Sequence, residues 1–150
     1  MKSLFIYYSF TGNGDVVADN LKEKGVDIRQ VVRKKKLPKS FFFGVMTGGF
    51  LAGINHKDKL VDFDSNIDGY DRIIIGSPIW NGRFSSPINT VLSFLDLKGK
   101  EVEFLFCSGS GEGNKAVKRI NKQYSGSKIT FLKEPKKHLD ELKKLDAIQK

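Results

Sequence analysis

Three short stretches of the sequence place hydroxyls, glycines and one tryptophan where they could shape a ligand site, the first of them for an anion. In Ser9-Phe10-Thr11-Gly12-Asn13-Gly14, two hydroxyls and two glycines stand where a strand gives way to a helix. A phosphate there would meet the Ser9 and Thr11 hydroxyls, several backbone N–H groups and the positive end of a helix. Glycine lets the backbone approach the anion without a Cβ in the way. The stretch has neither the lysine of a P-loop nor the spacing of a dinucleotide fingerprint. Asp15 follows at once; it suits a helix N-terminus but would repel a phosphate if it pointed inward. The second stretch, Pro78-Ile79-Trp80-Asn81-Gly82, joins a large aromatic to a turn dipeptide. The third, Cys107-Ser108-Gly109-Ser110-Gly111, is small and polar. Cys107 ends a core strand and reads as a small buried hydrophobe rather than a redox thiol.

Each stretch follows an apolar run. Leu4-Phe5-Ile6-Tyr7-Tyr8 reads as a strand buried on both faces, and Val16, Val17 and Leu21 mark a helix ending near Lys24-Gly25. Val26–Val32 is a second strand and Arg72–Gly76 the clearest central one. Ile88, Val91, Leu92 and Leu95 form a helical stripe behind Ser86 as N-cap and Pro87 in the first turn. Val102–Cys107 and Lys128–Leu132 complete the strands. A helix with Ala116, Val117, Ile120 and Tyr124 lies between them, and a last helix carries Leu139, Leu142, Leu145 and Ile148 inward. Five strands with intervening helices imply an α/β three-layer sandwich around a parallel sheet, one domain over residues 1–150. Ser40–Asn55, with Phe41, Phe42 and Phe43 before Gly44, Gly48, Gly49 and Gly53, fits least well. It reads as a second helix packed on the sheet; the alternatives are a flap over a ligand and a homodimer contact.

Composition narrows the classes. With 39% hydrophobic and 29% charged residues the chain is an ordinary globular protein. A single cysteine excludes an intramolecular disulfide and a cysteine-rich metal site. No signal-peptide pattern and no membrane span are present, so the cytoplasm is the expected location. His56 and His138 have no clustered ligand partners. The net charge of +9 concentrates in residues 114–150, with 11 Lys/Arg against 4 Asp/Glu. That basic quarter could steer an acidic partner or simply keep the protein soluble. Lys34-Lys35-Lys36 has no aromatic-rich basic motif beside it, so no nucleic-acid binding is expected. A phosphoacceptor receiver needs acids at the ends of early strands, where Tyr8 and Ser9 stand.

Tyr8-Ser9-Phe10-Thr11-Gly12-Asn13 resembles the FMN phosphate loop of the flavodoxin family. Gly76-Ser77-Pro78-Ile79-Trp80-Asn81-Gly82 resembles the loop beside the isoalloxazine ring, and Leu105–Gly111 resembles the third flavin loop. The three come in the family's order and approximate spacing. The resemblance implies strand order 2-1-3-4-5, non-covalent FMN, and an Asn81–Gly82 peptide able to turn a carbonyl toward the ring. Three features depart from the pattern: Gly14 replaces a hydroxyl residue, the third loop lacks the aromatic that covers the outer flavin face, and the chain is basic where carriers are acidic.

Two function classes follow for an FMN-binding redox protein. One is an electron carrier docking with a redox partner, an acidic one if the basic quarter steers it. The other is an NAD(P)H-dependent oxidoreductase of quinone-reductase type, in which a nicotinamide stacks on the exposed flavin. A degenerate member of the fold without flavin is the third possibility.

Overall fold

A computed structural model of the chain describes residues 1–148; residues 149 and 150, the end of the expected domain and of the basic quarter, lie outside them. The main strands are β1 (Ser3–Tyr7), β2 (Asp27–Gln30), β3 (Arg72–Trp80), β5 (Glu101–Ser108) and β6 (Lys128–Lys133). They pair in parallel in the order β2-β1-β3-β5-β6, which is the expected 2-1-3-4-5 when only these five are counted. The two-residue β4 (Arg83–Phe84) folds back antiparallel on the end of β3.

The apolar runs are continuous because the sheet is covered on both sides. Strand alternation sends Leu4, Ile6, Ile73, Ile75, Phe104 and Phe106 to one face. There they meet α2 (Phe41–Gly53), α3 (Ser86–Phe94) and α4 (Asn114–Gln123) through Ala52, Ile88, Val91, Ala116 and Ile120. Phe5, Tyr7, Ile74 and Leu105 point to the other face, against Val17, Ala18 and Leu21 of α1 (Asn13–Glu23) and against Leu145 and Ile148. Helix α1 ends as expected: Gly25 takes φ 82° and the Val26 N–H donates to Leu21 O at 3.1 Å.

Four expectations need correction. Strand β2 is shorter than Val26–Val32. Strand β3 runs past Gly76 to Trp80, since Ser77 and Pro78 pair with Phe106 and Cys107 of β5. The N-cap of α3 is Ser85; Ser86 is already helical, and its hydroxyl donates to Asp58. The last helix is a 3-10 helix, Leu139–Leu145. Leu139, Leu142, Leu145 and Ile148 recur at intervals of three, the period of that helix, yet only the last two are buried and Leu139 stands exposed.

Helix α2 lies on an excursion closed at its base. Lys34 N–H donates to Lys59 O at 2.8 Å and Val61 N–H to Val32 O at 2.9 Å. Beside them Arg33 pairs with Asp58 at 2.9 Å, both side chains almost fully buried. Glycine weakens a helix interior by about 1 kcal/mol per residue. Four glycines therefore leave α2 dependent on packing, and its Gly44-Gly48-Ala52 side faces inward. A Cβ at Gly44 would stand 2.3 Å from the Phe10 ring, and one at Gly48 2.7 Å from the Trp80 ring. The helix thus rests directly on two aromatics of the predicted binding stretches. Among the described residues no helix is long and apolar enough to cross a membrane, and no cluster of His, Cys, Asp or Glu could hold a metal ion.

Candidate functional site

In an open parallel sheet, ligands bind beyond the C-terminal strand ends, where the strand order reverses. Here that point lies between β1 and β3, and a cleft of about 540 Å³ opens over it. The size suits a small-molecule site, roughly 300–1,000 Å³.

The β1–α1 loop forms one end of the cleft. Gly12, at φ 92°, turns the chain into α1, whose first-turn N–H groups have no partners within the helix. The Ser9 Oγ is buried without a hydrogen-bond partner, and Thr11 Oγ1 accepts from Asn13 Nδ2 at 3.0 Å. Asp15 is turned away, because its Oδ1 accepts from Tyr7 OH at 2.9 Å and Gln30 Nε2 at 3.1 Å. Burial, with Asp15 as acceptor, holds the Tyr7 phenol well above its usual pKa. The carboxylate that could have repelled an anion is thereby held by β1 and β2.

A cation takes its place from the far end of the chain. After β6 the chain turns at Glu134, φ 39°, and crosses to the loop. Lys136 N–H donates to Asn13 Oδ1 at 3.0 Å and Lys136 Nζ to Thr11 O at 3.4 Å. Lys137 lines the cleft next to it, paired with Glu134 at 2.6 Å. Lys144 pairs with Glu141 at 2.6 Å, so part of the basic quarter is engaged locally.

Pro78, Ile79 and Trp80 form the next wall. Trp80 is 7% exposed, edge-on to Tyr8 and Phe10 at centroid distances of 5.9 and 6.0 Å, and covered by Gly48. Asn81 and Gly82, at φ 50° and 72°, make the two-residue turn of the β3–β4 hairpin, the geometry an Asn-Gly pair favours. Gly82 O accepts from the Ala116 N–H of α4 at 2.8 Å. Opposite, Cys107, Ser108 and Gly109 line the third side. The Ser108 hydroxyl accepts from the Gly111 and Glu112 N–H groups at 3.0 and 3.1 Å, closing its loop on itself. Burial pushes the Cys107 thiol up to about 12.

Of the sixteen residues expected at the site, Ser9, Phe10, Thr11, Asn13, Gly14, Pro78, Ile79, Trp80, Cys107, Ser108 and Gly109 line the cleft. Gly12, Asn81, Gly82, Ser110 and Gly111 do not; they shape the three turns behind the lining. Tyr8, part of the phosphate-loop stretch but not counted among the sixteen, also lines the cleft, as do Phe41 and Val45 of the segment for which a flap over a ligand is one alternative. Glu134, Lys136 and Lys137 are not expected there from the sequence, which gives the two lysines only as part of the basic quarter. A signal was present: Glu134–Lys137 follows a parallel strand, as the other three turns do.

The orphaned Ser9 hydroxyl and the free N–H groups of α1 are donors of the kind a phosphate accepts from, and the apolar wall beside them suits a flat ring, so the residues present fit FMN. No curated protein matches the chain. Among solved structures, a protein from Bacteroides eggerthii assigned as a flavoprotein superposes with a TM-score of 0.78, at 23% identity over 98% of this chain and 97% of its own. A flavoprotein from Lactobacillus acidophilus, solved in complex with FMN, gives 0.62 at 26% identity over 85% and 89%. Oxidised flavodoxin 1 from Bacillus cereus shares the fold at 0.50 and 15% identity over 96% and 98%. The NADPH-dependent FMN reductase family profile matches residues 12–140, which hold every main strand but β1 and every residue lining the cleft except Tyr8, Ser9, Phe10 and Thr11. The chain belongs to that family: it is a flavodoxin-like redox protein whose cofactor is FMN.

Proposed function

We propose that the FMN-loaded protein is a reductase that takes hydride from NAD(P)H and passes electrons to a small acceptor of the quinone class. The observation that carries this reading is the third loop. Ser108-Gly109-Ser110-Gly111 holds no side chain larger than serine, so that side of the cleft has room for a second ring. FMN, once bound, supplies the redox chemistry. The chain supplies the rest. Ser9, Thr11, Asn13, Gly14 and Lys136 hold the phosphate, while Phe10, Pro78, Ile79 and Trp80 exclude water from one side of the ring. Gly109 leaves the other side accessible. The cytoplasm provides the nicotinamide and keeps Cys107 reduced.

Anaerobic titration of FMN-loaded protein tests this reading. NADPH or NADH should bleach the flavin's visible absorbance, and a soluble quinone should restore it. Protein bleached by dithionite but by neither nicotinamide would instead be an electron carrier. Salt-sensitive docking of an acidic redox protein would then be the property to measure.

A further inference from the structure

Helix α2 turns its small side inward and its large side to solvent. Phe41, Phe42, Phe43, Met46, Phe50 and Ile54, its C-cap, are each 56–69% exposed. Phe43, Met46, Phe50 and Ile54 follow one another at steps of three and four residues, so they form one stripe. Phe42 packs edge-to-face on Phe43 at 5.6 Å, within the patch rather than against the core. Exposed apolar patches of this kind mark interaction sites.

The charges around the stripe identify the partner. Lys34, Lys35, Lys36 and Lys39 precede α2, and Lys57 and Lys59 follow it. All six are exposed, and none forms an ion pair among the described residues. The only acid between residues 34 and 61 is Asp58, buried against Arg33. Both flanks of the helix are therefore positive. A second copy laid on this face, parallel or antiparallel, would set lysine against lysine. An aromatic stripe between lysines matches a surface that is apolar below and anionic above, as in helices that lie in the plane of a membrane interface. Thirteen residues are too few to span a bilayer, which takes about 20.

We infer that the outer face of α2 docks on an anionic lipid bilayer, with the phenylalanines in the acyl boundary and the lysines at the phosphates. Phe41 and Val45 belong both to the exposed side of α2 and to the cleft, so the docked face and the cleft share an edge.

Flotation of the FMN-loaded full chain with phosphatidylcholine vesicles, with and without phosphatidylglycerol, tests this. The protein should float with the anionic vesicles, should stay behind with phosphatidylcholine alone, and should be released by high salt, which screens the lysines. Lys34→Gln, Lys35→Gln and Lys36→Gln together should weaken partition about 100-fold. Phe43→Gln with Phe50→Gln should abolish it, while retained quenching of flavin fluorescence shows both variants to be folded. Absence of flotation, or flotation unchanged in both variants, overturns the inference. So does a dimer in light scattering that the two glutamines dissociate, which would assign the face to a second copy. Lipid partition is read without nicotinamide, so this result is separate from that of the reductase test.

Discussion

Lys136 and Asn13, 123 residues apart in the chain, are joined by a 3.0 Å hydrogen bond from the lysine's backbone N–H to the asparagine's Oδ1. That bond brings the Lys136 ammonium within 3.4 Å of Thr11 O, over the first turn of α1. A helix N-terminus and a lysine together favour an anion more than either does alone. Lys136→Gln should weaken FMN by about tenfold, corresponding to the lower end of a hydrogen bond to a charged group, roughly 1.5–3 kcal/mol. Riboflavin, which lacks the phosphate, should bind as before. Thr11→Val should act in the same direction. Equal weakening of both ligands in a fluorescence titration would place these residues away from the phosphate.

The glycines of α2 separate into two kinds. A Cβ at Gly48 meets the Trp80 ring, whereas at Gly49 it meets nothing within 4 Å. Gly48→Ala should destabilise the protein by about 1–3 kcal/mol, the range for overpacking, and disturb the emission of the chain's one tryptophan. Gly49→Ala should be neutral or stabilising by up to about 1 kcal/mol. Urea unfolding followed by tryptophan fluorescence measures both.

The Arg33–Asp58 pair clasps the base of the α2 excursion, and Asp58 also accepts from Ser86. Removing one partner of a buried pair leaves an uncompensated charge, at a cost of about 3–5 kcal/mol. Asp58→Ala should lower the urea midpoint accordingly. Arg33→Met with Asp58→Leu should recover much of the loss, because the pair itself contributes less than its breaking costs.

Stability should fall in alkali with a defined sign. An unfolded cysteine ionises near 9.0, while in the fold burial holds the Cys107 proton up to about 12. Below pH 9 both states keep the proton and the contribution is complete. Above it the unfolded chain loses the proton first, so stability declines through about pH 12 by at most ~1.4 kcal/mol per unit. Tyr7, also raised, acts in the same sense above its ordinary value of 10.0. Cys107→Ala should remove the earlier part of this slope in urea midpoints measured against pH.

Much of this was written locally. Leu4–Tyr8, Ile73–Ile75 and Phe104–Phe106 are apolar at every step, and a run with no polar alternate fits a strand covered on both faces. The three stretches that form the cleft could be read for the same reason, since each follows a strand. What could not be read depended on partners distant in sequence. Pro78 breaks a strand by its own preference, yet it stays in β3 because Cys107 lies beside it at the register end. Asp15 has an unfavourable charge for a phosphate loop until Tyr7 and Gln30 hold it aside. Lys136 resembles any surface lysine until the fold lays it over Thr11.

The crossing of Glu134–Lys137 onto the β1–α1 loop also orders events during synthesis. Thr11 is made 125 residues before Lys136, so a nascent chain can hold most of the sheet while the β1–α1 loop still lacks the lysine that crosses it. If Lys136 holds the phosphate as proposed, loading of FMN at full affinity follows completion of β6. On the proposed phosphate contacts, each bound FMN would tie the β1–α1 loop to the segment after β6, with a stabilisation that grows as RT ln(1 + [FMN]/Kd).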